Sequence, residues 1–277
     1  MYVHNLKEVK SASDLTFHFS EDQTNPTPRD SYNAQFTRLH EKLKSRECSK
    51  IILSRIKRVE HSIQPNELFQ KLNETYTNTF NYVISNAEIG TWIGATPERL
   101  IHVNRDKIET MSLAGTKTEF DNWTKKEYDE QAFVTHQIHK ELEKYCHNIQ
   151  LDGPQTITAG PVQHLQTTIK AQLINPHDWS SLTQGLHPTP AVCGTPTDAA
   201  RAFILKNEKH DRQFYTGFIG FVQKDTKSLF VNLRCLQFYE KYANLYVGGG
   251  IIIDSTQESE WIETERKANT LSALLKS

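Results

Sequence analysis

The chain has 277 residues, 37% of them hydrophobic, and a formal net charge of -1. That length and apolar content allow one substantial core or two small ones. The near-neutral charge excludes global electrostatic capture of nucleic acid or of an anionic membrane surface, so any charged ligand must be caught locally.

Residues 1 to about 30 are polar and close in Asn25-Pro26-Thr27-Pro28-Arg29-Asp30, a loop or boundary. Ser31 to Leu43 reads as helix, and Lys50-Ile51-Ile52-Leu53-Ser54-Arg55-Ile56 as a buried strand, being β-branched and mostly apolar. Pro65-Asn66-Glu67-Leu68 opens a second helix with proline in its first turn. Short strands are expected at Phe80–Ser85, Thr91–Gly94, Leu100–Val103 and Ile108–Leu113, then a long polar helix from Asn122 to His147. Thr156–Leu173 reads as strands and Pro196–Asn207 as helix. Three strands, Phe218–Gln223, Leu229–Phe238 and Ala243–Val247, precede a final helix. Strands and helices come in runs and not in strict alternation, which favours an α+β fold over a doubly wound sheet.

Four scattered cysteines, Cys48, Cys146, Cys193 and Cys235, have no paired CxxC spacing, which argues against a zinc site and a disulfide framework. Met1–Lys7 lacks the apolar core of a secretion signal, and no later run is long enough to span a bilayer. The expectation is a cytoplasmic protein with reduced thiols and with neither a membrane nor a nucleic-acid partner.

The densest chemistry lies near the C-terminus. Val247-Gly248-Gly249-Gly250-Ile251 is an apolar strand feeding three glycines, which permit close backbone approach and positive φ. In the helix that follows, Glu260, Glu263 and Lys267 fall on one face at i, i+3 and i+7. Two acids and a base beside bare amides suit a divalent ion together with an anionic ligand. The same spacing also fits a solvated helix face after a flexible turn.

Six segments in order resemble the chorismate-binding enzymes: isochorismate, salicylate, anthranilate and aminodeoxychorismate synthases. They are Lys50–Arg55, Gly94-Ala95-Thr96-Pro97-Glu98-Arg99-Leu100, Ser112-Leu113-Ala114-Gly115-Thr116, Leu186–Gly194, Phe214–Gly220 and the glycine-to-Lys267 stretch. The resemblance runs from about Ser31 to the C-terminus. It implies two stacked, largely antiparallel β-sheets with helices packed outside. It also implies one catalytic domain over 31–277 behind an N-terminal extension over 1–30, shorter than in most relatives. A partly open sheet edge covered by a partner subunit is one consequence; a compact monomer is the other, and both monomer and homodimer stay open.

The substrate implied is chorismate, a small dicarboxylate whose recognition calls for fixed cations or amide donors. Mg²⁺ is the implied cofactor, with Glu130 and Glu263 as ligands and Glu260, one turn from Glu263, acting through water or from just outside the ligand set. Lys267 and Arg234 match the positions that hold carboxylates, and Gly115, Thr116 and Gly248–Gly250 supply amide donors. Read without the family, Arg234 is a strand-edge surface arginine. His187, in the turn His187-Pro188-Thr189-Pro190, is assigned to substrate orientation, although a structural loop histidine fits the same residues.

Lys50 discriminates among the reactions. Ammonia-using relatives carry glutamine there, whereas isochorismate and salicylate synthases carry a lysine that acts as general base on water. Such a base needs a pKa lowered toward neutrality. Read alone, Lys50 is a solvated lysine ending a helix-to-strand loop. Glu98 is the matching general acid and needs a raised pKa to stay protonated. Ala114 stands where aminodeoxychorismate synthases carry a nucleophilic lysine. Ala191 is typical of isochorismate synthases, whereas Tyr215 also occurs in salicylate synthases, so isochorismate synthase leads and salicylate synthase is the alternative. An ammonia-dependent synthase is disfavoured by Lys50, and a silent chorismate-binding subunit by the presence of Lys50, Glu98, Glu130 and Glu263 together. Isochorismate serves menaquinone or siderophore synthesis, and the sequence does not choose between them. One departure stands out: the family's usual Glu-His pair is Glu130-Gln131 here.

Overall fold

A computed structural model describes residues 16–21, 24–117, 122–159 and 162–276. The described chain begins with α1 (Arg29–Lys44), β1 (Lys50–Glu60), α2 (Pro65–Thr75), β2 (Phe80–Asn86) and β3 (Gly90–Thr96). There follow β4 (Arg99–Asn104), β5 (Lys107–Lys117), α3 (Lys125–Leu142), β6 (Cys146–Ala159), β7 (Val162–Leu173) and α4 (Trp179–Leu186). The last third holds β8 (Gly194–Thr195), α5 (Thr197–Asn207), β9 (Phe218–Val222), β10 (Thr226–Val231), β11 (Cys235–Phe238), β12 (Tyr242–Ile251) and α6 (Gln257–Leu275).

The strands form two six-stranded sheets, ordered β2-β3-β11-β12-β1-β8 and β6-β7-β5-β4-β10-β9. Every pairing is antiparallel. This is the α+β architecture of two antiparallel sheets that the sequence implied. Aromatic side chains fill the space between the sheets: Tyr82, Trp92, Tyr215 and Tyr246 form one cluster, and Phe80 stacks on Phe230 at 4.6 Å. Helices cover the outside. Leu68 and Leu72 of α2 and Ala268, Leu271 and Leu275 of α6 pack on the first sheet; α3 and α4 pack on the second through Ile138, Leu142, Leu182 and Leu186.

Local signals place most elements. Residues Ile51–Ile56 of β1 are all buried, as the mostly apolar run predicts, and Ser54 and Arg55 are buried with them. Pro65 sits in the first turn of α2 behind a capping box between Gln64 and Glu67, and a second box between Thr124 and Glu127 opens α3.

Three expectations need correction. The long polar helix ends at Leu142, not His147, because Cys146 starts a fourteen-residue strand that pairs with β7 from Cys146↔Leu173 onward. Leu229–Phe238 is two strands in different sheets. The chain leaves β10 at Val231 and turns at Asn232–Arg234, with Arg234 at φ 46, before entering β11. Both halves are apolar, and an arginine at positive φ leaves no mark in sequence. Finally, β12 does not end before the glycines but runs through them to Ile251.

The four cysteines are buried and unpaired. No described helix is long and apolar enough to cross a membrane.

Candidate active site

The glycines Gly248, Gly249 and Gly250 are extended strand residues, and none has positive φ. What they provide is room. A Cβ on Gly250 would lie 2.4 Å from Lys50 Cε, and one on Gly249 would lie 2.9 Å from Glu260 Oε2 and 3.7 Å from Glu263 Oε1. One on Gly248 would meet the Tyr215 hydroxyl at 3.0 Å. Strand alternation sends Gly248 and Gly250 to one face and Gly249 to the other. The run therefore yields space to four predicted site side chains at the end of the first sheet.

From α6, Lys267 Nζ donates to the Gly248 carbonyl at 2.9 Å and pairs with Glu263 at 2.7 Å. Glu260 is 8% exposed; its Oε1 accepts from the Ser255 hydroxyl at 2.6 Å, and its Oε2 has no partner. Burial pushes the Glu260 carboxyl up, with the Ser255 bond opposing and the Glu263 charge adding. Ser255 was not foreseen in the sequence. Its only trace is a hydroxyl just ahead of Thr256, the residue that caps α6 by accepting from Ser259 N–H.

Lys50 heads β1. Burial pulls its ammonium pKa down against the opposing charge of Glu130, and the Lys267 charge lowers it further, while Glu263 and Glu98 raise it. Glu98 lies where the chain passes from β3 in the first sheet to β4 in the second. Burial pushes its carboxyl up to about 7, partly offset by Lys50. The charges of Glu130, Glu263 and Lys267 act on Lys50, that of Lys50 acts on Glu98, and those of Glu263, Lys267 and Lys50 act on Glu260, which joins the six in one electrostatic cluster.

Arg234 lies at the return crossing from the second sheet to the first, and its carbonyl accepts from Ala95 N–H at 3.1 Å. Burial pulls its guanidinium pKa down, with Tyr76 opposing. The two chain crossings are tied together, since Val231 N–H donates to the Glu98 carbonyl at 2.9 Å. Tyr215 is buried beside Tyr246, and burial raises its hydroxyl pKa. Ala191 is half-buried in the turn after α4.

His187 caps α4, with Nε2 2.7 Å from the Thr216 carbonyl and its ring edge-on to Phe218. Burial lowers its imidazole pKa. Gly115 and Thr116 fall at the register shift of β5, and their side-chain surroundings lie outside the described residues.

Glu130 is exposed on α3, whereas its neighbour Gln131 is 1% exposed. Gln131 Nε2 donates to Ser112 O at 3.1 Å, Ser112 Oγ at 2.8 Å and Thr167 Oγ1 at 3.1 Å. The amide that replaces the family's imidazole therefore turns inward and fastens α3 to β5 and β7.

Among the described residues no three carboxylate, imidazole or thiol groups converge on one point. Glu260 and Glu263 do border the space over Gly249, and the unpartnered Glu260 Oε2 is a buried acceptor aimed there. An oxygen-seeking cation that keeps its own waters needs only one or two such carboxylates. These residues fit Mg²⁺. A groove of about 650 Å³, lined in part by Arg105, Trp179, Lys224 and Lys227, lies at the far end of β4 and contains none of the cluster.

Two stacked antiparallel sheets crossed by Glu98 and Arg234, with Lys50 and the α6 acids at the end of the first, define the class. The chain belongs to the chorismate-binding enzyme family, whose profile matches residues 3–276. It is 31% identical over 246 residues to isochorismate synthase DhbC of Bacillus subtilis (strain 168), covering 80% of this chain and 62% of that protein. The chain thus spans about three fifths of that relative's length. A crystal structure of DhbC from Bacillus anthracis matches with a TM-score of 0.81 at 31% identity, covering 91% of this chain and 73% of that one. Anthranilate synthase component I from Streptococcus pneumoniae shares the fold, with a TM-score of 0.80 at 19% identity over 95% of this chain and 62% of that one.

Proposed function

We propose that the chain is an isochorismate synthase, an isomerase that moves a hydroxyl group on the ring of chorismate with Mg²⁺ as cofactor. One observation carries this reading: within one cluster the Lys50 ammonium is pulled down and the Glu98 carboxyl is pushed up to about 7. A base and an acid driven toward each other's range are what concerted proton transfer at neutral pH requires.

Lys50 takes a proton from water as the water oxygen bonds to C2. The ring double bond shifts, the C4–O bond breaks, and Glu98 gives its proton to the departing hydroxyl, which leaves as water. One water enters and one leaves, so the net change is isomerisation. Lys267 and Arg234 hold the substrate's carboxylates, and the site's glycine amides add donors. Glu263 and Glu130 would hold Mg²⁺, with Glu260 acting through water or from just outside the ligand set, and the ion would supply a fixed positive charge for a substrate carboxylate.

Purified protein with chorismate and Mg²⁺ is expected to form isochorismate in equilibrium with chorismate, by chromatography, with no salicylate or pyruvate. Salicylate with pyruvate would mean that Tyr215 outweighs Ala191. Anthranilate formed only with added ammonium would overturn the role of Lys50. Lys50→Ala and Glu98→Gln should each lower turnover by about 1,000-fold or more while leaving Mg²⁺-dependent chorismate binding in place. Turnover should also fall as pH rises past about 7, where Glu98 loses the proton it must donate.

A further inference from the structure

One buried ion pair lies outside this chemistry. Arg212 Nε and Nη2 donate to Glu208 Oε2 and Oε1, each at 2.7 Å. The same guanidinium reaches main chain twice: Nη1 to Val192 O at 2.9 Å and Nη2 to Ile52 O at 3.0 Å. Glu208 Oε1 accepts from Ser54 N–H at 2.8 Å and from Ser54 Oγ at 2.9 Å. The side chains of Arg212 and Glu208 are 15% and 5% exposed.

The bonds to Ile52 and Ser54 fall where the first sheet runs out of strand. β8 is two residues long and pairs with β1 no further than Ile51. Ile52 N–H still finds the Cys193 carbonyl at 2.9 Å, but Ile52 O and Ser54 N–H have no strand beside them. A buried main-chain group left unpaired is costly. Here a guanidinium supplies the donor and a carboxylate the acceptor that a neighbouring strand would have offered. Beyond the ion pair, Ile56 N–H donates to Thr27 Oγ1 at 3.0 Å, and Thr27 N–H to Ile56 O at 2.9 Å.

The segments joined in this way are the ones that frame the site. Ile52 and Ser54 share a strand face with Lys50. Val192 follows Ala191 in the chain. Tyr215 N–H donates to Arg212 O at 2.9 Å, so the tyrosine is carried by the turn that Arg212 begins. We propose that Arg212, paired with Glu208, is a positioning residue: it replaces a missing strand at the edge of β1 and so sets Lys50 against the Ala191 turn and Tyr215. The kinetic part of this inference rests on the isochorismate synthase reading; the structural part does not.

Amide exchange followed by NMR separates positioning from bulk stability. In the wild-type protein the Ser54 amide should be protected like that of Leu53, which lies between two outward-facing amides and so faces β12. In Arg212→Lys and in Glu208→Gln, Ser54 exchange should accelerate by about tenfold or more with Leu53 unchanged. In the same variants kcat should fall by about tenfold or more, with KM for chorismate moving less than about threefold. Equal acceleration on both edges of β1, an unprotected wild-type Ser54, or a rise in KM at constant kcat would overturn the proposal. A wild-type protein that makes no product in the same assay would overturn the activity reading instead, and the exchange comparison would still decide the role of Arg212.

Discussion

Helices α6 and α3 bring carboxylates to the same cluster from different sheets, and they are fastened by different chemistry. α6 is held by charge. The Arg55 guanidinium, 2% exposed, lies 3.9 Å over the Trp261 ring, donates from Nε to Thr264 Oγ1 at 2.7 Å and pairs with Glu265. Lys57 reaches the same Glu265 at 2.5 Å. α3 is held by neutral groups, with Gln131, Ser112, Thr135 and Thr167 bonding among themselves under its first turns. The carboxylates differ in the same sense: Glu260 is buried and fixed by Ser255, whereas Glu130 is exposed. One half of the cluster is preorganised before any ligand arrives, and the other faces solvent with its side chain free to adjust.

That contrast should be visible in metal affinity first. Glu260→Gln is expected to weaken Mg²⁺ binding, measured by calorimetry, by roughly 100-fold, and Glu130→Gln by nearer tenfold. Equal losses would mean that the two helices contribute alike.

Stability should separate the fastenings next. Arg55→Met removes the charged bond to Thr264, the cation–π contact with Trp261 and one of the two partners of Glu265, at a cost of about 3 kcal/mol. Gln131→Leu strands the Ser112 carbonyl, at about 1–2 kcal/mol. Denaturant titration reads both, and a costlier Gln131→Leu would reverse the ranking.

The smallest difference lies in pH dependence. Burial raises the Glu265 pKa, but the bonds from Lys57 and Arg55 prevail and hold it below the ordinary glutamate range. A depressed folded pKa means that the stabilisation is present above the unfolded value and is lost as pH falls through the folded one. The melting temperature of Glu265→Gln should therefore vary less between pH 6 and pH 3 than that of the wild type. Gln131→Leu, which removes no titrating group, should keep the wild-type slope.

Much of this protein was legible in its residues. The apolar run of β1, the proline and capping box of α2, and the i, i+3, i+7 spacing on α6 each depend on neighbours within a few positions, so the sequence alone specifies them. Motif order pointed to Lys50, Glu98, Glu263 and Lys267, and their electrostatic neighbourhood is where the fold assembles them. Other features were decided only by tertiary contact. Whether Leu229–Phe238 is one strand or two depends on which sheet each half meets. The end of α3 depends on β7 being available to pair with Cys146. The glycines of β12 serve by leaving space for side chains from β1, α6 and the turn before β9, so no local rule reveals their use. Gln131 is a departure from the family's Glu-His pair in sequence and a fastening in the fold. The ionisation of Lys50 and Glu98 belongs to the same class, because desolvation is imposed by whatever surrounds a group, and here the surroundings come from strands and helices distant in the chain.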